Sequence, residues 1–371
     1  MISVLYITPK LPNNDTEISY SFVEEELNEV KKIGDIRAYI LEIDYERPFG
    51  IIRKISKFVS FSNSFKVIHA HFAVPYGYLA TIIAKLARKP LVVTVHGFDV
   101  LVYKELSYGL NKFKLIKPFT KYVLRSADKV IANSKYLRNE CVGYGVHQSK
   151  IKVIPLGVNL HTFRPMKYED IGDKLPSKLK EPKIKKNNCI WILCAKSLEK
   201  IYGIEYLLKS AKILKNRTDN NFMLILLGGS MFKDYFGLVH RLGLAKNVIF
   251  LGTLPRTVMP LLYNISDFTV VPSLVEGFGL VVAESLACGR PVVGSHVGGI
   301  MDQIIDGYNG YLVPPKDPLL LANRMQILIE DESIRKEMSR NARIYAEAKL
   351  DIKKRVNKLL EIYHQLAEEV E

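Results

Sequence analysis

Cysteine is scarce in this chain, and long apolar runs are absent. The four cysteines, Cys141, Cys189, Cys194 and Cys288, follow no zinc-binding spacing, so reduced thiols are expected and a disulfide framework is not. No stretch approaches the roughly 18 consecutive apolar residues that a membrane-spanning helix needs. The opening MISVLYITPK lacks the basic leader of a secretion signal and reads as a first strand. No Asp-x-Asp pair occurs, so the sequence offers no obvious carboxylate pair for a metal ion bridging a diphosphate; no metal and no cofactor are expected. Internal repeats and low-complexity tracts are missing. Acids are also under-represented, with 38 Asp and Glu against 53 Lys and Arg and a formal net charge of +15. The usual nucleic-acid-binding patterns (zinc finger, RNA-recognition motif, helix-turn-helix) do not appear, so nucleic acid is the weakest explanation of that excess.

What is present is alternation. SVLYIT, IRAYIL, VIHAHF, LVVTVHG, KVIANS and IKVIPL are β-rich, and most are separated by helical patterns such as SYSFVEEELNEVKK and YGYLATIIAKLARK. That order predicts a parallel, doubly wound α/β sheet. Residues 166–188 are rich in Lys, Pro and Asp without apolar period, and read as a linker. The pattern then restarts with CIWILCA, FMLILLGG, NVIFLG, FTVVPS, PVVGS and GYLVP, which predicts a second sheet of the same kind. A length of 371 residues agrees with two domains. Two such domains would present their strand ends to each other across a cleft, where α/β proteins take ligands.

The densest chemistry lies between Pro272 and Leu312. FTVVP reads as a buried strand, and Glu276 falls in the loop beyond its carboxyl end. Gly277 and Gly279 flank Phe278 and let a ligand approach the main chain. A helix is expected from Leu280 to Cys288, ended by Gly289, with Arg290 and Pro291 beyond. Its first-turn amides lack internal partners and suit a phosphate, aided by the helix dipole. Glu284, on the second turn, can accept two ribose hydroxyls, and Glu276 can do the same for a hexose. Two carboxylates eight positions apart around a Gly-x-Gly turn therefore suit a sugar nucleotide. An ordinary amphipathic surface helix is the competing reading.

EGFGLVVAE, continuing into ESLACGRPVVGSHVGGIMDQIIDGYNGYLV, resembles the donor-site signature of retaining, nucleotide-sugar-dependent glycosyltransferases of family 4, which have the GT-B fold. His69–Asp99 resembles that family's N-terminal core, and Ala127–Pro165 its exit from the first domain. The resemblance implies an acceptor-side Rossmann-like domain at 1–165, a linker at 166–188, a nucleotide-sugar-binding domain at 189–345 and a last helix, 346–371, returning to the first domain. It implies that His96, followed by Gly97 and Asp99, contacts the donor sugar, with its main-chain carbonyl near the anomeric carbon. Lys196 stands where the family has a phosphate-gripping Arg. Tyr202 stands where a Lys is usual, so Lys200 is the candidate substitute. Gly279 and Leu280 would join them on the phosphates. The nucleobase is expected along Gly228, Leu251, Thr253 and Leu254. The family's glycine pair after the first strand is absent, and Asn13, Asn14 or Glu17 are candidates for a different acceptor contact, against a plain solvated loop.

The expected reaction is transfer of a hexose-type sugar, with retained configuration and without metal, from a UDP- or GDP-sugar to a glycan or lipid-linked hydroxyl. A sugar-nucleotide epimerase of the same architecture and a non-enzymatic basic binding protein remain as alternatives. Between Tyr103 and Lys135, eight cations (Lys104, Lys112, Lys114, Lys117, Lys121, Arg125, Lys129, Lys135) meet only Glu105 and Asp128, with aromatics interleaved. A second stretch joins Arg53, Lys54 and Lys57 to Phe58, Phe61 and Phe65. An anionic membrane surface and a merely solvated lysine-rich face fit equally, each cation near a membrane contributing about 1 kcal/mol. The expected location is cytoplasmic, and, on the membrane reading of the basic face, peripheral on the inner face of the membrane.

Overall fold

A computed structural model describes residues 2–11, 20–32, 35–43, 60–171, 175–179, 189–218, 221–229 and 232–369. The chain divides into two compact units, one formed by residues 1–157 with 352–371 and the other by 158–351.

The first unit carries β1 (Ile2–Pro9), β2 (Ile36–Ile43), β3 (Val67–His71), β4 (Leu91–Val95), β5 (Lys129–Ala132) and β6 (Ile151–Val153). They form one sheet in the order β2-β1-β3-β4-β5-β6, and every pairing is parallel. A parallel sheet is covered on both faces, so its strands are apolar throughout, as in the fully buried LVVTV of β4. Helices α1 (Ser21–Lys32), α2 (Tyr78–Ala87), α3 (Ile116–Ser126) and α4 (Lys135–Gly143) alternate with the strands. Ser134 starts α4 by accepting a hydrogen bond from the Leu137 amide at 3.1 Å, a cap that typically contributes about 1 kcal/mol.

The second unit repeats the plan with β7 (Ile190–Cys194), β8 (Phe222–Leu227), β9 (Val248–Gly252), β10 (Phe268–Val271), β11 (Val292–Ser295) and β12 (Gly310–Val313), ordered β12-β11-β10-β7-β8-β9. Its helices are α5 (Ile204–Lys215), α6 (Phe232–Arg241), α7 (Met259–Ile265), α8 (Leu280–Ala287), α9 (Pro318–Glu330) and α10 (Glu332–Lys349). In both sheets the winding direction reverses once, between β1 and β3 and between β10 and β7. Those reversals are where open α/β sheets bind ligands.

The chain's last helix, α11 (Ile352–Glu368), belongs to the first unit: Val356, Leu359, Ile362 and Tyr363 pack in one core with Tyr6 of β1 and Val23, Leu27 and Val30 of α1. The unit boundaries differ from those read in the sequence. Val158 already sits in the second unit, its amide bonded to the Leu350 carbonyl at 2.7 Å, and buried Phe163 packs on Tyr263. α10 runs unbroken to Lys349, so the return starts at Ile352 instead of Ala346. Part of the linker lies outside the described residues, but Ile171, Leu175 and Leu179 are buried. All four cysteines are free thiols.

Candidate active site

In the second unit the reversal point is occupied by an ion pair. Lys196 follows β7, Glu276 follows the neighbouring β10, and Lys196 Nζ lies 2.5 Å from Glu276 Oε2. The Ser273 hydroxyl donates to the same carboxylate oxygen at 3.3 Å. Burial works to lower the Lys196 pKa, but the Glu276 carboxylate beside it, helped by Tyr202, holds it above its ordinary value. The ammonium therefore stays charged while largely removed from water. Tyr202 lays its ring 4.9 Å from Lys196 Nζ, a cation–π contact at the position where the resembled family has a second cation. Lys200 is exposed at the start of the short turn Lys200–Tyr202.

The loop Glu276–Gly279 is moulded by its neighbours. Gly279 precedes α8 at a φ of +92°, a left-handed conformation that favours glycine. Gln303 donates from Nε2 to the Phe278 carbonyl at 2.6 Å, and the Gly299 amide donates to the Glu276 carbonyl at 3.1 Å. Gly298 has no room for a side chain, since a Cβ there would lie 1.8 Å from the Glu276 carbonyl oxygen. Phe278 is buried and anchors the loop. Gln303 and Gly298 carried no distinguishing signal in the sequence beyond lying in the motif.

Glu284 points inward and is 2% exposed. Arg256 reaches its Oε1 at 2.6 Å, and the Tyr263 hydroxyl donates to Oε2 at 2.7 Å. Burial, then the Glu284 charge, pushes the Tyr263 phenol well above its ordinary pKa, so it remains a donor. Arg256 also stacks over Phe163 at 5.3 Å. Sequence reasoning missed Arg256, because only the fold brings it to α8. Gly228 lies beside the Lys196 loop: its amide bonds the Gly252 carbonyl at 2.9 Å, and a Cβ on it would lie 2.8 Å from the Leu198 amide nitrogen. The ends of β7, β8 and β9 and the loops beyond them, which hold Lys196, Gly228, Leu251, Thr253 and Leu254, are thus brought together.

In the first unit His96 follows β4. Its amide and that of Gly97 both donate to Asp99 Oδ1 at 3.0 Å, while the Ala73 amide donates to Oδ2 at 2.7 Å. Asp99 is fully buried and fastens the β4 exit to the segment after β3; burial pushes its carboxyl pKa up despite these bonds. The His96 ring packs at 4.4 Å on Phe72 and 4.8 Å on Phe22, and Phe72 holds a φ of +72°, strained for an aromatic residue. Asn13, Asn14 and Glu17 lie outside the described residues.

Glu26, His69 and His71 form a buried cluster that could ligate a metal. The nitrogens of His69 are already committed to protein partners: Nδ1 meets the Tyr363 hydroxyl at 2.6 Å, and Nε2 meets Thr94 Oγ1 at 2.7 Å. The Arg355 guanidinium, 2.5 Å from Glu26, supplies the cation instead. Burial, then His71, holds the His69 and His96 pKa values well below the ordinary histidine value. In the unfolded chain both would take up protons near pH 6.5. Stability they contribute is present above that pH and is lost as pH falls below it, by at most about 1.4 kcal/mol per pH unit for each. Urea unfolding of the first unit is expected to shift to lower denaturant between about pH 7.5 and 5.5, and His69→Gln should flatten the slope. An unchanged midpoint would contradict the burial of these rings.

The basic-aromatic stretch is displayed in part. Leu115 is 82% exposed, and Phe113, Phe119 and Tyr122 also face out around α3. Lys85 Nζ donates to the Tyr122 hydroxyl at 2.7 Å. In the second stretch Arg53, Lys54, Lys57 and Phe58 fall outside the described residues, Phe61 is exposed, and Phe65 is buried in the core and not on a basic face. No described helix is long and apolar enough to cross a membrane.

Residues 177–345 match the family model for glycosyl transferases group 1, and residues 4–162 match that for glycosyltransferase family 4. An uncharacterised glycosyltransferase of Methanocaldococcus jannaschii is 28% identical over 85% of this chain and 80% of its own length. The D-inositol 3-phosphate glycosyltransferase of Corynebacterium diphtheriae is 27% identical over 74% of this chain, which spans 65% of that protein. Among solved structures, Anabaena HepE in complex with UDP-glucose superposes with a TM-score of 0.79 at 21% identity, covering 98% of this chain and 100% of HepE. Sucrose-phosphate synthase from Thermosynechococcus elongatus gives 0.74 at 21% identity, covering 99% of each chain. Both share the GT-B fold seen here. With the two family models in tandem over most of its length, this chain belongs to the group 1 glycosyltransferases of family 4.

Proposed function

We propose that this glycosyltransferase moves a hexose-type sugar, with retention and without a metal, from a UDP- or GDP-sugar to a hydroxyl of a glycan or lipid-linked acceptor. The observation that carries this is the Lys196–Glu276 pair at the sheet's reversal point, beside the start of α8. A diphosphate entering there takes Lys196 as its counter-ion in place of Glu276, with the amides of Gly279 and Leu280 supplying further donors. Freed from the lysine, Glu276 accepts hydroxyls of the transferred sugar and orients it. Glu284, steadied by Arg256 and Tyr263, offers its carboxylate to the ribose. Loop main chain at Gly228 and Leu251–Leu254 meets the base.

In the reaction the bond between the anomeric carbon and the diphosphate oxygen breaks. The acceptor oxygen bonds to the same face, and its proton passes to the departing phosphate. Charge on that phosphate is what Lys196 stabilises in a site poor in water. His96 contacts the donor sugar. The HepE complex with UDP-glucose supports a nucleotide-sugar donor. The exposed cations and aromatics of the first unit support a membrane-borne acceptor, with the protein peripheral on an anionic cytoplasmic leaflet.

The test is a thermal-shift screen of UDP-, GDP- and ADP-sugars with added acceptor pools. One donor is expected to stabilise the protein by about 2.7 kcal/mol at a hundredfold excess over its Kd. Glu284→Ala should lose most of that shift. Turnover of the sugar nucleotide without any acceptor would favour the epimerase alternative, and no shift with any donor would end the proposal.

A further inference from the structure

The side chains around His96 close into a ring. Arg355 of α11 donates from NH1 to Asn133 Oδ1 at 3.1 Å, and Asn133 Nδ2 meets His96 Nδ1 at 3.2 Å. His96 Nε2 meets His71 Nδ1 at 3.1 Å, and His71 Nε2 faces Glu26 Oε1 at 3.4 Å, where neither atom has another partner. Arg355 Nε closes the circuit on Glu26 Oε2 at 2.5 Å. Arg355 also donates to the carbonyls of Ile154 and Pro155, at 2.8 and 3.1 Å.

The donors in this ring can run in only one sense. A guanidinium only donates, so Asn133 turns its oxygen to Arg355. Its nitrogen then donates to the Val95 carbonyl at 2.9 Å and to His96 Nδ1. His96 Nδ1 must accept and carries no proton. The neutral ring is protonated on Nε2 and donates to His71 Nδ1. His71 in turn holds its proton on Nε2, against Glu26. Both nitrogens of His96 are used up inside the first unit.

We propose that Arg355 is a positioning residue for His96, acting through Asn133 on one side and through Glu26 and His71 on the other, and that it selects the Nε2-protonated form of both histidines. On this view His96 meets the sugar through its main chain and ring edge, never as acid or base. The inference rests on the proposed role of His96 in donor binding. It gives the returning helix a task in the site beyond packing.

Removing the guanidinium should loosen the ring. In Arg355→Met the Asn133 Oδ1 loses its donor, and only the Val95 carbonyl still orients the amide. Asn133 then holds the Nε2-protonated form of His96 less firmly, and the Nδ1-protonated form gains population. The other charged or titratable groups near the two rings are His69, stacked on His71 at 4.7 Å, the phenols of Tyr6 and Tyr363, and the Asp99 carboxylate under the His96 amide. None of them replaces the lost cation.

The experiment is nitrogen-15 NMR of the histidine side chains, assigned with His71→Gln and His96→Gln, alongside kinetics with the donor found in the screen. The wild type is expected to show both rings neutral and Nε2-protonated at neutral pH. Arg355→Met should show a mixture of Nε2- and Nδ1-protonated His96. Its kcat/KM for the donor should fall about 100-fold. Arg355→Lys, which keeps a cation but loses the fork, supplies the same readout, a mixed His96, if the methionine variant does not fold. An Nδ1-protonated His96 in the wild type, or unchanged ring states in the variants, would overturn the inference. The spectra need no turnover, so failure of the donor proposal would show separately, as a wild type that binds no sugar nucleotide.

Discussion

Lys196→Met is expected to lower kcat/KM for the donor by about 1,000-fold, near the upper end of what one preorganised charge contributes to a transition state. The magnitude follows from the setting. Lys196 is the cation paired across the β7–β10 reversal point, it is nearly buried, and Tyr202 occupies the position of a second cation. With Lys196 gone, the departing diphosphate keeps only main-chain donors. The loss should fall mainly on kcat, because charge develops on the phosphate as the bond breaks. Steady-state kinetics with a fixed acceptor checks this. A second expectation distinguishes chemistry from folding: Lys196→Met removes one partner of a largely buried pair, so Lys196→Met/Glu276→Gln should recover thermal stability without recovering rate. Recovery of rate in the double variant would mean that the pair, not the cation, matters.

Gly298→Ala is expected to cost about 100-fold in kcat, through displacement of the Glu276 loop by an ångström or so. The added methyl would sit 1.8 Å from the Glu276 carbonyl oxygen and 2.8 Å from its carbonyl carbon. Both are backbone atoms, so no side chain can rotate away to absorb the clash. The Gly298 φ of +50° adds strain to any substitution. The Gly299 amide bond to Glu276 would be pushed off at the same time. Gly307→Ala is the control: it also has a positive φ, of +77°, but open space around it. If the two variants lose activity equally, the steric account of the loop is wrong.

Much of this was legible in the residues. The β-branched runs LVVTV and FTVVP could only be buried strands, and the parallel alternation followed from the helical periods between them. Glu276, Gly279 and the start of α8 fell where composition placed them, because a glycine turn between a buried strand and an apolar helix has few other solutions. What stayed hidden depends on sequence-distant contacts. Arg256 is unremarkable in PRTVMP until the fold lays it against Glu284. Arg355 reads as one of several cations on an amphipathic helix, and only the return of α11 to the first sheet buries it against Glu26. Phe65 looked like part of an exposed aromatic-basic stretch, because exposure is a property of the packed chain and not of local composition. Main-chain contacts such as those of Gly228 leave no side-chain trace at all.

The most direct test of the proposed chemistry is calorimetric titration of the nucleoside diphosphate and its sugar, each in the presence of a chelator, into wild type, Lys196→Met and Glu276→Gln. Wild type is expected to bind both without metal. Lys196→Met should weaken both about 10-fold or more, whereas Glu276→Gln, whose lysine is already free, should hold the diphosphate at least as tightly as wild type and lose the preference for the attached sugar. Binding that appears only when a divalent cation is restored, or that ignores Lys196, would contradict the account.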